Sequence, residues 1–322
     1  MNSKFSFIAL LFLMFLNFKN QFPSGITVAF AANGIDLIQK VEGRPDLHKA
    51  VDGTTEFGDN YSDLREKYIN EFRIQELIWL ERSHGMFSLA EKRLEDLEHI
   101  LRTEDYSLET DFLDSSRKTA LATFKQHPNV SAVVKAAKYN KNEVAAYRID
   151  QLFGFDLVPV TILRQAKDGS LASFQFYLQA KYHAKDLGKG YQAKSKRLKF
   201  FDFLINNTDR HLRNWMYTSE GKEVAIDHDH LSFVDRGLFR RKAEKELKYP
   251  GQEKMFPKKY VLRNPSEFFP GDKVYSALKS TSDRQIREVL KDVLSRDKVR
   301  ALIERKNLYL KAVEGKQLLN KG

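Results

Sequence analysis

No cysteine occurs anywhere in the 322 residues, which excludes disulfides, cysteine nucleophiles, thiolate zinc sites and iron–sulfur clusters. Stability must therefore come from a buried core, and a chain of this length can make one, as a two-lobed domain or as two small ones. Past the N-terminal stretch the sequence lacks any apolar run long enough to span a bilayer, and it lacks internal repeats and low-complexity tracts. Also missing are an interleaved basic and aromatic pattern and a helix–turn–helix signature, so nucleic acid is not an expected partner. The formal net charge is nevertheless +11. That sign favours an anionic partner, a class that includes nucleotides, lipid headgroups and acidic proteins.

The long apolar run from Phe5 to Phe18 follows Lys4 and precedes a small-residue site at Ala29-Phe30-Ala31. This is the pattern of a signal peptide over residues 1–31, with cleavage expected after Ala31. A secreted or periplasmic protein follows, or one delivered into another cell. An uncleaved anchor is the alternative, because the spacer to Ala31 is long.

Residues 32–110 read as an accessory helical region. In "SLAEKRLEDLEHIL", Ser88 and Glu91 have capping-box spacing, and Leu89, Leu94, Leu97 and Leu101 recur at helical intervals. From about Lys118 the pattern changes. "KTALATFKQ" alternates, with Ala120, Ala122 and Phe124 on one face and Leu121, Thr123 and Lys125 on the other. "SAVVKAA" is a second strand, and "NKNEVAAYRIDQLFG" a helix whose stripe is Val144, Ala145, Ile149, Leu152 and Phe153, stopped by Gly154. Two further strands flank a Lys167-Asp168-Gly169 turn. Residues 111–184 thus form a small lobe of sheet and helix.

Residues 185–322 read as mostly helical. "KSKRLKFFDFLINN" places Leu198, Phe201, Leu204 and Ile205 on one face and ends in two asparagines. A hairpin is expected in "NWMYTSEGKEVAID", turning near Glu220-Gly221. Downstream, Ser282 and Gln285 have capping-box spacing ahead of Ile286, Val289, Leu290, Val293 and Leu294.

Between these elements lies "INNTDRHLRNWMYTSEGKEVAIDHDHLSF", rich in Asp, Asn and His. Phosphoryl transfer from ATP needs a strand lysine for the phosphates, a helix glutamate to hold it, a carboxylate to orient the attacking hydroxyl, and an Asn and an Asp for metal. Those types occur in that order as Lys125, Glu143, Asp209, Asn214 and Asp227, and Asp209 precedes Asn214 by the interval found in the kinase catalytic loop.

At these positions "DRHLRN" and "AIDHDHLSF", with "ATFK" and "NEVAAYRIDQLFGFDLVPVT" upstream, resemble the atypical kinases: phosphatidylinositol kinases, HipA-type bacterial kinases, and the secretory-pathway kinases of the Golgi-casein-kinase and Four-jointed type. The similarity covers residues 116–235, and the absence of cysteine fits an exported bacterial member. The resemblance implies an α+β, two-lobed protein-kinase-like fold, with a small antiparallel-sheet N-lobe carrying one helix and a mostly helical C-lobe. It implies ATP with Mg²⁺ or Mn²⁺. Lys125 becomes the phosphate lysine, Glu143 its ion-pair partner, Asp209 the catalytic base, Asn214 and Asp227 the metal ligands, and His211 the loop histidine. Arg210 is architectural. Asp229 stands where the pattern has Gly, and no glycine-rich loop precedes Lys125, leaving Ser115 and Ser116 with backbone amides to cover the phosphates.

Blander readings stand beside these. Lys125 alone is an ordinary strand-end lysine, and Lys135 or Lys138 are alternatives for the phosphate role; Lys125 is preferred for its alternating strand. Glu143 alone is a first-turn helix residue, Asn206 and Asn207 end a helix, and Asp209, Asn214 and Asp227 are common turn residues. His228 and His230, two apart, would share a strand face and suit zinc or manganese in a metal-dependent phosphoesterase. Residues 236–263 hold ten Lys and Arg against three Glu, either a solvated loop or the contact for an acidic acceptor protein. The expected activity is transfer of the ATP γ-phosphate to a hydroxyl, with a protein Ser/Thr acceptor. AMP transfer, a sugar or lipid acceptor, and an inactive pseudokinase-like binding protein are the other readings.

Overall fold

The computed structural model describes residues 61–110, 119–136, 140–178, 181–184, 195–207, 209–229, 231 and 271–319. The chain divides into units Met1–Gly43 and Arg44–Gly322, and every described residue belongs to the second. The expected signal peptide, Ser115, Ser116, Lys138, His230 and the basic stretch 236–263 lie outside the described residues.

The helical region at 61–103 forms α1 (Tyr61–Asn70), α2 (Ile74–Ser83) and α3 (Phe87–Thr103). Helix α3 buries Ala90, Leu94, Leu97, Ile100 and Leu101, while Leu89 of the expected stripe is exposed. The Ser88/Glu91 capping box does not form. The helix begins at Phe87 with Met86 as N-cap, so Ser88 already sits inside the first turn, and Glu91 pairs with Arg82 at 2.7 Å instead.

Five strands follow: β1 (Tyr106–Glu109), β2 (Thr119–Phe124), β3 (Ser131–Lys135), β4 (Thr161–Gln165) and β5 (Leu171–Phe176). They form an antiparallel sheet in the order β1-β2-β3-β5-β4. Because β1 pairs with β2, the sheet starts at Tyr106, ahead of the boundary expected at 110/111. Alternation in β2 is as read: Ala120, Ala122 and Phe124 face the core. Helix α4 (Asn140–Phe153) packs on β4 and β5 and stops at Gly154, whose φ of +66° is open to glycine at little steric cost.

A second sheet holds β6 (Lys181–His183), β7 (Trp215–Thr218) and β8 (Glu223–Ala225), in that order and antiparallel. Strand β6 therefore pairs with the C-lobe hairpin although the expected boundary at 184/185 assigned it to the N-lobe. Helices α5 (Lys196–Ile205), α6 (Asp272–Ser280), α7 (Asp283–Leu290) and α8 (Arg296–Leu319) complete the described C-terminal part. The Ser282/Gln285 capping box forms as read. Helix α7 ends at Leu290, so Val293 and Leu294 reach the core from a turn rather than from the helix. One core runs from the sheet through α4 to α5, α7 and α8. Among the described residues no helix is long and apolar enough to cross a membrane.

The connection from α4 to β4 is where the parts meet. Asp150 Oδ1 accepts the N–H groups of Leu157 and Val158 at 2.8 and 3.2 Å. Leu157 passes its carbonyl to Ala225 N–H of β8 at 2.8 Å, and Val160 N–H donates to Gln75 of α2 at 2.7 Å. Asp156, at φ +52°, is paired with Arg82 of α2 at 3.2 Å and Lys273 of α6 at 3.0 Å. Farther out, buried Arg73 joins Glu76 at 3.1 Å and Glu220 of the β7–β8 turn at 2.5 Å. The accessory helices thus brace the helix on which Glu143 sits.

Candidate active site

Helix α5 delivers the polar loop. Ser195 caps it by accepting Leu198 N–H, and Asn206 ends it in the left-handed conformation, φ +51°. Asn207 does more than end a helix: its Oδ1 accepts the N–H of Asp209 at 3.0 Å. Tight turns then carry the chain onward, His211 N–H to the Asp209 carbonyl at 2.9 Å and Asn214 N–H to the His211 carbonyl at 2.8 Å. The Asn214 side chain closes the loop, donating from Nδ2 to the Asp209 carbonyl at 2.7 Å. Asp209 and Asn214 are thereby brought together, as their spacing predicted. His211 is exposed, and its Nδ1 accepts Arg213 N–H at 3.2 Å.

Arg210 joins this loop to the loop bearing Asp227. Its Nε donates to Asp202 Oδ1 of α5 at 3.0 Å, and its Nη1 donates to the carbonyls of both Asn214 and Ile226. Ile226 N–H returns to the Asn214 carbonyl at 3.0 Å. A buried guanidinium bonded to one carboxylate and two carbonyls is a structural fixture, which is the architectural role read from the sequence. Asp202, its counter-ion, is not among the residues the sequence singles out; an Asp in the otherwise apolar buried face of the helix is the signal that finds it.

Asp227 follows Ile226 with φ +58°, a conformation that a non-glycine residue adopts only when held. Its Oδ1 lies 2.7 Å from Lys135 Nζ, and the same ammonium lies 2.5 Å from Glu143 Oε1. The other carboxylate oxygen of Glu143 accepts the N–H of His228 at 3.0 Å. Burial alone would push the Glu143 carboxyl up, but Lys135 and His228 hold it well below the usual carboxylate range. Burial likewise disfavours the Lys135 ammonium, and the two carboxylates overcome this and raise it. The glutamate and the lysine are therefore both charged at neutral pH.

This geometry corrects one residue. Lys125 does not meet Glu143. It falls one position beyond the end of β2, is exposed, and pairs with Asp105 at 2.5 Å. The physical reason is strand choice: β3 is the strand that enters α4, so Lys135 at its end, not Lys125 just past β2, stands over Glu143. Lys135 was the alternative, and its position eight residues before Glu143 was the available signal.

His228 is fully buried. Its ring meets Phe201 edge-on at 5.9 Å, and its Nδ1 lies 3.4 Å from Glu143 Oε2. Burial, and then Arg210, push the ring toward the neutral form. The stretch from Ile226 to Asp229 is not a strand, so the shared strand face expected for a histidine metal pair is not there on the His228 side. Among the described residues no group of three or more His, Asp or Glu is placed to hold a metal ion. Asp227 and Asn214 do supply oxygen donors of the kind hard divalent cations take, and Asp227, part-exposed and already facing a cation, fits that use.

Chains of known structure resemble this one at low identity. A crystal structure of the Golgi casein kinase with Mn/ADP bound is 14% identical, with a TM-score of 0.49, 91% of this chain covered and 93% of that one. A structure of hydra Fam20 with sugar is 16% identical, with a TM-score of 0.45, and coverage of 70% and 89%. The Helicobacter pylori proinflammatory kinase CtkA is 15% identical, with a TM-score of 0.41, and coverage of 66% and 98%. No curated protein matches. The phosphatidylinositol 3- and 4-kinase family model matches residues 60–253. That stretch is well over half of the 322 residues and contains the whole cluster from Lys135 to Asp227, and by it the chain belongs to the phosphatidylinositol 3- and 4-kinase family, with its two-lobed kinase-like fold.

Proposed function

We propose that the protein is an exported atypical kinase that transfers the γ-phosphoryl group of ATP to a hydroxyl acceptor, a Ser or Thr of an acidic protein. The observation that carries this reading is the Lys135 ammonium held between Glu143 and Asp227, 2.5 and 2.7 Å away. A charged lysine fixed by a helix glutamate, beside a carboxylate fit for metal, is the arrangement that phosphoryl transfer asks for.

Lys135 binds the nucleotide phosphates, and Glu143 keeps it charged and in place. Asp227 and Asn214 would hold Mg²⁺ or Mn²⁺, which when bound neutralises charge on the phosphates. Asp209 accepts a hydrogen bond from the acceptor hydroxyl and orients it for in-line attack. Its backbone is set by Asn207 on one side and by the Asn214 amide on the other, so the base and a metal ligand share one rigid turn. His211 steadies that turn from its outer edge. The basic stretch 236–263 supports an acidic acceptor, and the N-terminal sequence supports export.

The test is label transfer from γ-labelled ATP, with Mn²⁺ or Mg²⁺, to the chain itself and to an acidic protein such as casein, beside Asp209→Ala. Label that disappears in the variant is expected. Equal label in both would remove Asp209 from the mechanism, and label only from α-labelled ATP would make the activity AMP transfer.

A further inference from the structure

Helix α4 holds the loop after β8 at more than one residue. Glu143 takes the His228 N–H and, through Lys135, faces Asp227. Its neighbour Asn142, buried, donates from Nδ2 to the main-chain carbonyl of Asp229 at 2.7 Å. The other end of the same amide, Oδ1, accepts from Lys298 Nζ of α8 at 3.3 Å. A carbonyl can only accept and an ammonium can only donate, so the two contacts demand the same orientation of the amide. Asn142 is thus a fixed post between a C-lobe helix and the loop that carries Asp227.

That loop needs holding. The left-handed region is unfavourable for a non-glycine residue, and Asp227 has φ +58°. Before Asp227, the Ile226 peptide is tied by Arg210 and Asn214. After it, the ties are His228 N–H to Glu143 and the Asp229 carbonyl to Asn142. We propose that Asn142 is a positioning residue: by anchoring the Asp229 carbonyl it keeps Asp227 in the left-handed conformation in which its carboxylate faces Lys135, and so sets the affinity for the divalent cation. This rests on the kinase reading of the site. It couples the placement of α4 to metal binding through a contact separate from the Lys135–Glu143 pair.

The test is the Mn²⁺ concentration that gives half of the ADP-dependent rise in melting temperature, measured on the full chain, with the metal-free melting temperature recorded beside it. Asn142→Leu removes donor and acceptor at similar volume. Asn142→Asp keeps the shape and the acceptor for Lys298 but loses the donor, and it carries the test if the leucine variant does not fold. Partners behind metal ligands are typically worth ~10–100-fold in metal affinity, so at least a tenfold higher Mn²⁺ requirement is expected. Faster amide exchange over residues 226–229 should accompany it. A lower metal-free melting temperature with the Mn²⁺ requirement at its wild-type value would make Asn142 a residue of the fold alone and overturn the proposal. A wild-type chain that shows no Mn²⁺–ADP response at all would overturn the kinase reading and this inference with it, whereas a wild-type response shared unchanged by the variants overturns the inference alone.

Discussion

Lys135 Nζ stands 2.5 Å from Glu143 Oε1, with the glutamate buried and the lysine part-buried, so the strand that ends at Lys135 and the helix that carries Glu143 are fixed to each other by charge. Truncating the glutamate leaves the Lys135 ammonium with Asp227 alone, at a cost of about 1.5–3 kcal/mol for the lost charged hydrogen bond. Glu143→Gln keeps the shape and removes the charge. We expect a loss of stability approaching that range in urea denaturation, together with at least a tenfold weaker nucleotide response. A variant as stable as the parent would show that the pair does not organise the site.

Two buried acids should leave opposite marks on stability against pH. Glu143 has a depressed native pKa, so its contribution is present above the unfolded value, about 4.3, and fades as pH falls below it. Asp150 is pushed up to about 7, by burial first and then by Asp156. Between about 4 and 7 the native carboxyl keeps a proton that the unfolded chain has released, so this group costs stability as pH rises, until the cost levels off above 7. Asp150→Asn can still accept the Leu157 and Val158 N–H bonds. Its melting temperature should match the parent near pH 4 and exceed it at pH 8, and a pH-independent difference would contradict the assignment.

Arg210 ties both active-site loops to α5. Arg210→Met should destabilise by about 3–5 kcal/mol, because it removes one partner of a buried ion pair with Asp202. Amide exchange should speed up at both loops, 209–214 and 226–229. Loosening of one loop alone would show that the guanidinium does not bridge them.

Most of the architecture was readable from spacing. The alternation in β2, the stripe of α4 with its glycine stop, the turn at Gly169 and the box at Ser282 follow from local periodicity and turn chemistry, and the structure has all of them. The loop from Asp209 to Asn214 was readable because its side chains bond within five residues. Contacts made across the chain were not. Whether Lys125 or Lys135 faces Glu143 depends on which strand enters the helix, and neighbouring alternating strands look alike in sequence. Asn142 reads as a first-turn polar residue, and only the fold brings the Asp229 carbonyl to it. Ser88 and Glu91 had the spacing of a cap, but Phe87 begins the helix two residues too early for them to use it.

The most direct measurement compares label transfer from γ-labelled ATP by Lys135→Met and Lys125→Met, with folding checked by melting temperature. Lys135→Met should lose transfer by a hundredfold or more, since a preorganised charge on the phosphates is commonly worth about 10²–10³ in rate. Lys125→Met, which changes an exposed surface pair, should stay within about twofold of the parent. The reverse pattern, transfer lost with Lys125 and kept without Lys135, would contradict the site described here.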